Sequence, residues 1–348
     1  MLQSNFFYRK DGRVKDILLI ATGGTIASVE DKDGLIPTLT GEDLAQAVPE
    51  IKSVCNLTIV QVMNIDSTNM RPCDWMTIRN CIVDNYDDYD GFVVVHGTDT
   101  MSYTAAALSY LIQSSPKPIV LTGSQKPMGS PFTDAKLNLY QSLIYATDDA
   151  SSEVAIVFAG RVIAGTRGRK QRTMSHNAFI SVNFPELALI RNDRVLRPAK
   201  DLPAPNLTMK TYDKLCDRVC ALKLTPGIKP SIFEVLDRDY DAIIIETFGV
   251  GGIPEYTQDS IGFKEAIYNW VDRGKTIVLT TQVPEEGCDM GIYEVGHAYA
   301  NHKGILLGED MTTEALIAKT MWVLGNAQSQ DEIKELFYKT VNYDRVGV

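Results

Sequence analysis

The sequence has 348 residues, 45% of them hydrophobic and 22% charged, and a formal net charge of -10. At roughly 100–200 residues per domain, that length predicts two domains, each able to bury a core of its own. The acidic balance opposes binding to a phosphate backbone, and the ordinary composition excludes a disordered or fibrous chain.

The first apolar run, residues 17–21, is too short and too far along the chain for a secretory signal. No stretch approaches the roughly 18–20 apolar residues of a membrane span. A cytoplasmic protein is expected, with neither nucleic acid nor membrane as partner. Strands are then predicted at 17–21 and 92–95, with a helix at 74–86 between them. A helix at 102–114, a strand at 118–122, a helix at 135–146 and a strand at 154–158 follow. Further on come a strand at 242–245, a helix at 260–272, a strand at 276–281 and a helix at 312–324. Continuous apolar runs of this length fit strands buried on both faces of a parallel sheet. Alternation with helical patterns makes the fold class α/β with right-handed crossovers.

Three prolines between Arg197 and Pro205 resist helix and central strand alike, so this stretch is the expected linker. It separates a larger N-terminal α/β domain, residues 15–196, from a smaller C-terminal one, residues 213–348, with 197–212 as the connection. Each is expected to hold a mostly parallel sheet flanked by helices. The six cysteines form no CxxC pair, and without a secretory signal they read as reduced thiols. Cys216 and Cys220 have the spacing of one helix face, which favours packing over metal binding.

In open α/β sheets, ligands bind beyond the carboxyl ends of the strands. The segments there are Thr22-Gly23-Gly24-Thr25-Ile26, His96-Gly97-Thr98-Asp99-Thr100, Thr122-Gly123-Ser124-Gln125 and, a little beyond its strand, Gly165-Thr-Arg-Gly-Arg-Lys170. Paired glycines let backbone approach a ligand and leave amide donors for an oxyanion, although a tight turn needs the same residues. Thr98 or Asp99 could simply cap the next helix. Lys170 lies in a basic run with Arg167, Arg169 and Arg172, a pattern usually found on solvated surface. Beside an aspartate and a hydroxyl, a lysine can instead act as a base.

Taken together, these segments resemble the L-asparaginase family, in its cytosolic type I branch. The resemblance runs from about Asp16 to near the C-terminus and rests on ATGGTIAS around Thr25 and GFVVVHGTDTMSYTA around Asp99. Supporting matches are Asn64-Ile-Asp-Ser-Thr-Asn-Met70, Ile119-Val-Leu-Thr-Gly-Ser124, Phe248-Gly-Val-Gly251 and Asp310-Met-Thr-Thr-Glu-Ala315. It implies that Thr25 is the nucleophile, and that Thr98, Asp99 and Lys170 form a second hydroxyl–carboxylate–lysine group. It implies that Ser67 holds the α-carboxylate of L-asparagine, Asp99 its α-amino group, and that Asp66, Thr68 and Thr98 add polar substrate contacts. The implied reaction is acyl transfer to Thr25 Oγ, release of ammonia, and hydrolysis of a β-aspartyl ester. Neither metal nor cofactor is implied, and the assembly implied is a homodimer or a homotetramer built as a dimer of dimers.

The sequence departs from the family pattern in the loop after Thr25. Leu35 stands where many relatives carry a tyrosine that assists the nucleophile, and leucine cannot relay a proton. Tyr293, in Gly291-Ile-Tyr-Glu-Val-Gly296, is the candidate replacement. Residues 28–36, rich in Asp, Lys and Gly, are expected to form a lid. The rival functions are a glutaminase-asparaginase, the amide-hydrolysing subunit of a tRNA amidotransferase, or a non-catalytic amino-acid sensor. The amidotransferase subunit usually carries an extra N-terminal domain, and about fifteen residues precede the first strand here. A nucleotide-binding protein is disfavoured, since neither GxGxxG nor GxxxxGK[ST] occurs.

Overall fold

The computed structural model describes residues 14–24, 26, 28–31, 34–37, 43, 46, 48–198, 207–255, 262–289, 299 and 302–346. The chain forms two compact units, Met1–Asp213 and Lys214–Val348. Among the described residues, no helix is long and apolar enough to cross a membrane.

The first unit is built on an eight-stranded sheet. Its centre is parallel: β1 (Asp16–Gly23) lies between β4 (Asn56–Ile65) and β5 (Gly91–Val95), and β5 continues to β7 (Ile119–Thr122) and β8 (Val154–Phe158). Beyond β8 the sheet turns antiparallel, through β9 (Arg161–Ala164), β12 (Ala188–Arg191) and β13 (Arg194–Leu196). Residues 17–20 and 92–95 have no exposed surface, as expected of strands covered on both faces. On one face Leu19, Val93, Val95 and Val120 pack with Leu139 and Leu143 of helix α3 (Ala135–Thr147). Each such side chain contributes about 1.5–3 kcal/mol by leaving water.

Helix α1 (Pro72–Asp84) has Pro72 in its first turn and Asp74 capping the Arg71 N–H at 2.8 Å. Helix α2 (Met101–Leu111) is buried along nearly its whole length. It stops before the expected end at Ser114, because Ile112–Gln113 forms β6 and pairs with β14 (Lys210–Thr211). Part of the expected connection is therefore strand. Arg197, at its start, is held by Asp148 and Ser151 at 2.6 and 2.9 Å.

β4 was not anticipated. It is an edge strand whose apolar residues alternate irregularly with polar ones, so neither a buried run nor a clean period marks it. The segment expected to be a lid contains a hairpin, β2 (Ser28–Asp31) paired antiparallel with β3 (Gly34–Pro37), which sets Glu30 opposite Leu35.

The second unit holds a four-stranded parallel sheet in the order β15 (Val219–Lys223), β16 (Ala242–Thr247), β17 (Thr276–Thr281), β18 (Ile305–Leu307). Ile243, Ile245, Ile277 and Leu279 pack with Phe233 of helix α4 (Ile232–Leu236) and with Phe263 and Trp270 of helix α5 (Phe263–Asp272). The helix face expected for Cys216 and Cys220 does not form. Cys220 lies in β15 and Cys216 precedes it outside any element, because the alternating Val219–Lys223 run pairs with β16. Helices α6 (Thr313–Asn326) and α7 (Gln330–Tyr338) follow β18, and their N-caps Thr312 and Ser329 accept from the backbone of Ala315 and Glu332.

Candidate active site

Because β7, β5, β1 and β4 are parallel neighbours, the segments that leave them emerge along one edge of the sheet. The backbone there is unusually close-packed. Gly24 has φ +83, and a Cβ on it would lie 2.4 Å from the backbone of Gly97. A Cβ on Gly97 would in turn lie 2.5 Å from Ser67 Oγ. Only glycines let the three loops meet in this way. Gly24 N also donates to Ile65 O at 3.1 Å, and Thr100 Oγ1 donates to Ser67 O at 2.8 Å.

His96 lies at the base of this arrangement with no exposed surface. One ring nitrogen, Nδ1, faces Gly97 O at 2.7 Å, so it must be the donor. Nε2 therefore accepts, from Thr104 Oγ1 at 2.9 Å, and Thr104 accepts from Trp75 Nε1 at 3.0 Å. Burial pushes the imidazole pKa down to about 4, despite the opposing hydrogen bond to Gly97. A neutral ring with one fixed tautomer thus holds the Gly97 carbonyl. In a trans peptide this turns the Thr98 N–H the opposite way.

Lys170 closes the site from β10 (Gly168–Lys170), which pairs with β11 (Phe179–Ser181). Its Nζ donates to Thr98 Oγ1 at 2.7 Å and to Asp99 Oδ1 at 2.6 Å. Thr98 is 4% exposed, but the Asp99 side chain keeps 56% of its surface, enough to meet a ligand ammonium as well. The basic run divides: Lys170 turns inward, and Arg167 is fully buried with its guanidinium 5.6 Å from the centre of the Phe184 ring. Thr98 Oγ1 donates to Gln125 Oε1 at 3.2 Å, and Gln125 Nε2 donates to the carbonyls of Arg172 and Ser175, both at 3.3 Å. The turn carrying Gln125 is clamped by Asp134, which accepts from Gln125 N at 2.9 Å and Lys126 N at 3.1 Å. Asn138 Nδ2 ties Asp134 Oδ2 to Gly123 O at 3.1 and 3.0 Å.

This geometry offers a lysine bonded to a hydroxyl, a carboxylate open to an ammonium, and backbone held for close approach. Residues 16–201 match the family described as Asparaginase, N-terminal, and residues 218–337 match Glutaminase/Asparaginase C-terminal domain. The chain belongs to the asparaginase family. The L-asparaginase of Thermococcus kodakarensis is 34% identical over 333 residues, covering 95% of this chain and 99% of that protein. A glutamyl-tRNA(Gln) amidotransferase subunit of Pyrococcus abyssi is 35% identical, covering 92% of this chain and 74% of that protein. Among solved structures, the thermostable L-asparaginase from Thermococcus kodakarensis superposes with a TM-score of 0.88 at 33% identity, over 96% of this chain and 100% of that one. L-asparaginase I from Vibrio cholerae superposes at 0.81 with 29% identity, over 95% and 99%.

Within this asparaginase-family amidohydrolase, the structure brings together Thr98, Asp99 and Lys170, and sets buried Ser67 against Gly97. Asp66 and Thr68 are exposed and bonded to each other, with Asp66 Oδ1 accepting from Thr68 N and Oγ1 at 2.8 and 2.9 Å. Thr25 and Tyr293, and the side chain of Leu35, lie outside the described residues. Sequence reasoning missed Gln125, Asp134 and Asn138. Asp134 stands one residue before a helix and reads as an ordinary cap, whereas its carboxylate serves a turn eight and nine residues earlier. Among the described residues, no three His, Cys, Asp or Glu side chains gather as metal ligands would.

Proposed function

We propose that this protein hydrolyses the side-chain amide of L-asparagine to L-aspartate and ammonia, with Thr25 as the nucleophile. The observation that carries the reading is Lys170 Nζ bonded at once to Thr98 and Asp99, at the strand edge where Gly24 packs on Gly97. Thr25 follows Gly24 directly, and Thr98 follows Gly97.

In this reading Thr25 Oγ attacks the amide carbon, ammonia leaves, and water attacks the β-aspartyl ester, freeing aspartate and restoring the hydroxyl. Asp99 selects the substrate's α-ammonium, and Ser67, Thr68 and Asp66 contribute to the pocket for its other polar end. Backbone N–H groups near Thr98 stabilise the oxyanion, each such donor being worth about 3–4 kcal/mol. Lys170, as the free amine, takes the proton of the attacking hydroxyl or water through Thr98, and the proton returns to the leaving nitrogen. Leu35 cannot supply a phenol, and Tyr293 is assigned that part.

The reading extends to a cytoplasmic location and to a homodimer or homotetramer, the latter measurable by size-exclusion chromatography with light scattering. The match to an amidotransferase subunit, at similar identity, keeps transfer of amide nitrogen as the second reading. Ammonia release from asparagine and from glutamine, measured in parallel on the purified chain, tests the proposal. Faster release from asparagine is expected. No release from either at millimolar concentration would remove it, and preference for glutamine would redirect it to a broader amidase.

A further inference from the structure

A run of hydrogen bonds beneath the strand edge can be oriented in only one way. At its inner end Trp75 Nε1 of helix α1, which can only donate, faces Thr104 Oγ1 of helix α2 at 3.0 Å. At its outer end Gly97 O, which can only accept, faces His96 Nδ1 at 2.7 Å. The ring proton is therefore on Nδ1, and Nε2 accepts from Thr104 Oγ1 at 2.9 Å. His96 and Thr104 have no exposed surface, so bulk water does not compete for these bonds. The Gly97 carbonyl is thus drawn toward the buried ring, and across the trans peptide the Thr98 N–H points away from it. Thr98 is only 4% exposed, yet among the described residues its N–H meets no acceptor, whereas the His96 N–H donates to Thr122 O at 2.8 Å. A backbone donor so enclosed is rarely left unpaired, and here it lies beside the hydroxyl that Lys170 holds. Gly97 has no Cβ to resist a flip of the peptide that follows it, and such a flip would present a carbonyl where the N–H now stands.

We infer that His96 is a positioning residue, whose Nδ1–H holds the Gly97 carbonyl inward and so keeps the Thr98 N–H aimed at the oxyanion formed on the attacked amide. The oxyanion exists only after attack, so this donor acts on the transition state more than on bound substrate. The ring exchanges no proton with the substrate, and the transfer through Thr98 to Lys170 proceeds without it. This inference rests on the amidohydrolase reading above.

The alternative is that His96 merely fills the core and ties helices α1 and α2 to the end of β5. Two substitutions separate the ring nitrogens. His96→Asn sets an amide where Nδ1 stood, keeping a donor for Gly97 O and giving up Thr104. His96→Gln sets its amide near the place of Nε2, keeping an acceptor for Thr104 and giving up Gly97. Steady-state ammonia release from L-asparagine is the measurement, with kcat and KM resolved separately and urea unfolding followed on the same proteins. The expected result is a kcat lower on the order of tenfold for His96→Gln, with KM within about twofold, and recovery of most of that loss in His96→Asn. A structural tie predicts instead that His96→Asn, which loses the link to the helices, is the poorer enzyme, and that ranking overturns the inference. So does a His96→Gln enzyme with wild-type kcat. If either variant does not fold, Thr104→Val decides, since it breaks the link to the helices and leaves the bond to Gly97. A kcat near wild type there supports the inference, and a loss on the order of tenfold refutes it. A wild type that releases no ammonia would overturn the proposed function together with this inference. An active wild type whose two His96 variants behave alike would overturn this inference alone.

Discussion

The two units each contain a lysine–aspartate pair at 2.6 Å, and the two pairs differ in everything but that distance. Lys170 and Asp99 sit at a strand edge, with side chains 17% and 56% exposed, and Lys170 also donates to a hydroxyl. Lys319 and Asp344 are both 0% exposed, and the same ammonium donates to Lys339 O at 2.8 Å. Burial pushes the Lys319 pKa down more than the facing Asp344 carboxylate restores it. Asp344 also accepts from Val341 N at 3.0 Å, and the adjacent Arg345 pairs with Glu309, so residues 341–345 are fastened to the turn after β18. Length alone does not assign a role to an ion pair. Solvent access does, because an exposed carboxylate can exchange its partner for a ligand while a buried one cannot leave without stranding a charge.

The sharpest way to break this comparison is to remove each lysine's role separately. Lys170→Met is expected to lower kcat by roughly 10³–10⁴-fold, or about 4–5 kcal/mol of barrier, while unfolding in urea shifts by less than about 1 kcal/mol. A stability loss as large as the activity loss would make the first pair structural too. Asp344→Ala is expected to destabilise the second unit by about 3–5 kcal/mol, because it strands the buried ammonium. The double change Lys319→Met with Asp344→Leu should recover most of that loss, and denaturant unfolding of the three proteins reads the difference. If the double variant is no better than the single one, the charge is not what makes the site costly.

A smaller effect sharpens the contrast from the other side, through a buried group that stays neutral. The His96 pKa is about 4 in the folded chain, against an ordinary 6.5. Above pH 6.5 the ring is neutral in both states and contributes no pH dependence. As pH falls from 6.5 toward 4, the unfolded chain takes up a proton that the folded one refuses, so stability is lost, up to about 3 kcal/mol. Below about 4 the folded chain binds it too and the loss levels off. Unfolding free energies across that window, with His96→Gln as control, measure the contribution. An identical slope in the control would place the titration elsewhere.

Much of the scaffold was legible in the sequence because buried parallel strands write themselves as unbroken apolar runs. Val154–Phe158 and Thr276–Thr281 begin and end where those runs do. β4 escaped because an edge strand is covered on one side only, and β9, β12 and β13 because short antiparallel strands leave little periodicity. The glycine turn after β1 and the His96–Thr100 segment after β5 were visible as segments that leave adjacent parallel strands, where backbone is free to meet a ligand.

The sequence by itself therefore determined the alternation of strand and helix, the edge of the sheet where chemistry could occur, and the residue types present there. Only the tertiary structure decided which of those residues touch. Lys170 reaches Thr98 across 72 positions and Thr98 reaches Gln125 across 27, separations that no local pattern encodes. It also decided that Lys170 turns inward while Arg172 holds a carbonyl of its own hairpin at the surface, and that one Lys–Asp pair is open and the other sealed. Local sequence sets backbone preference and apolar period. Burial, hydrogen direction and the partner of each charge depend on packing between distant segments.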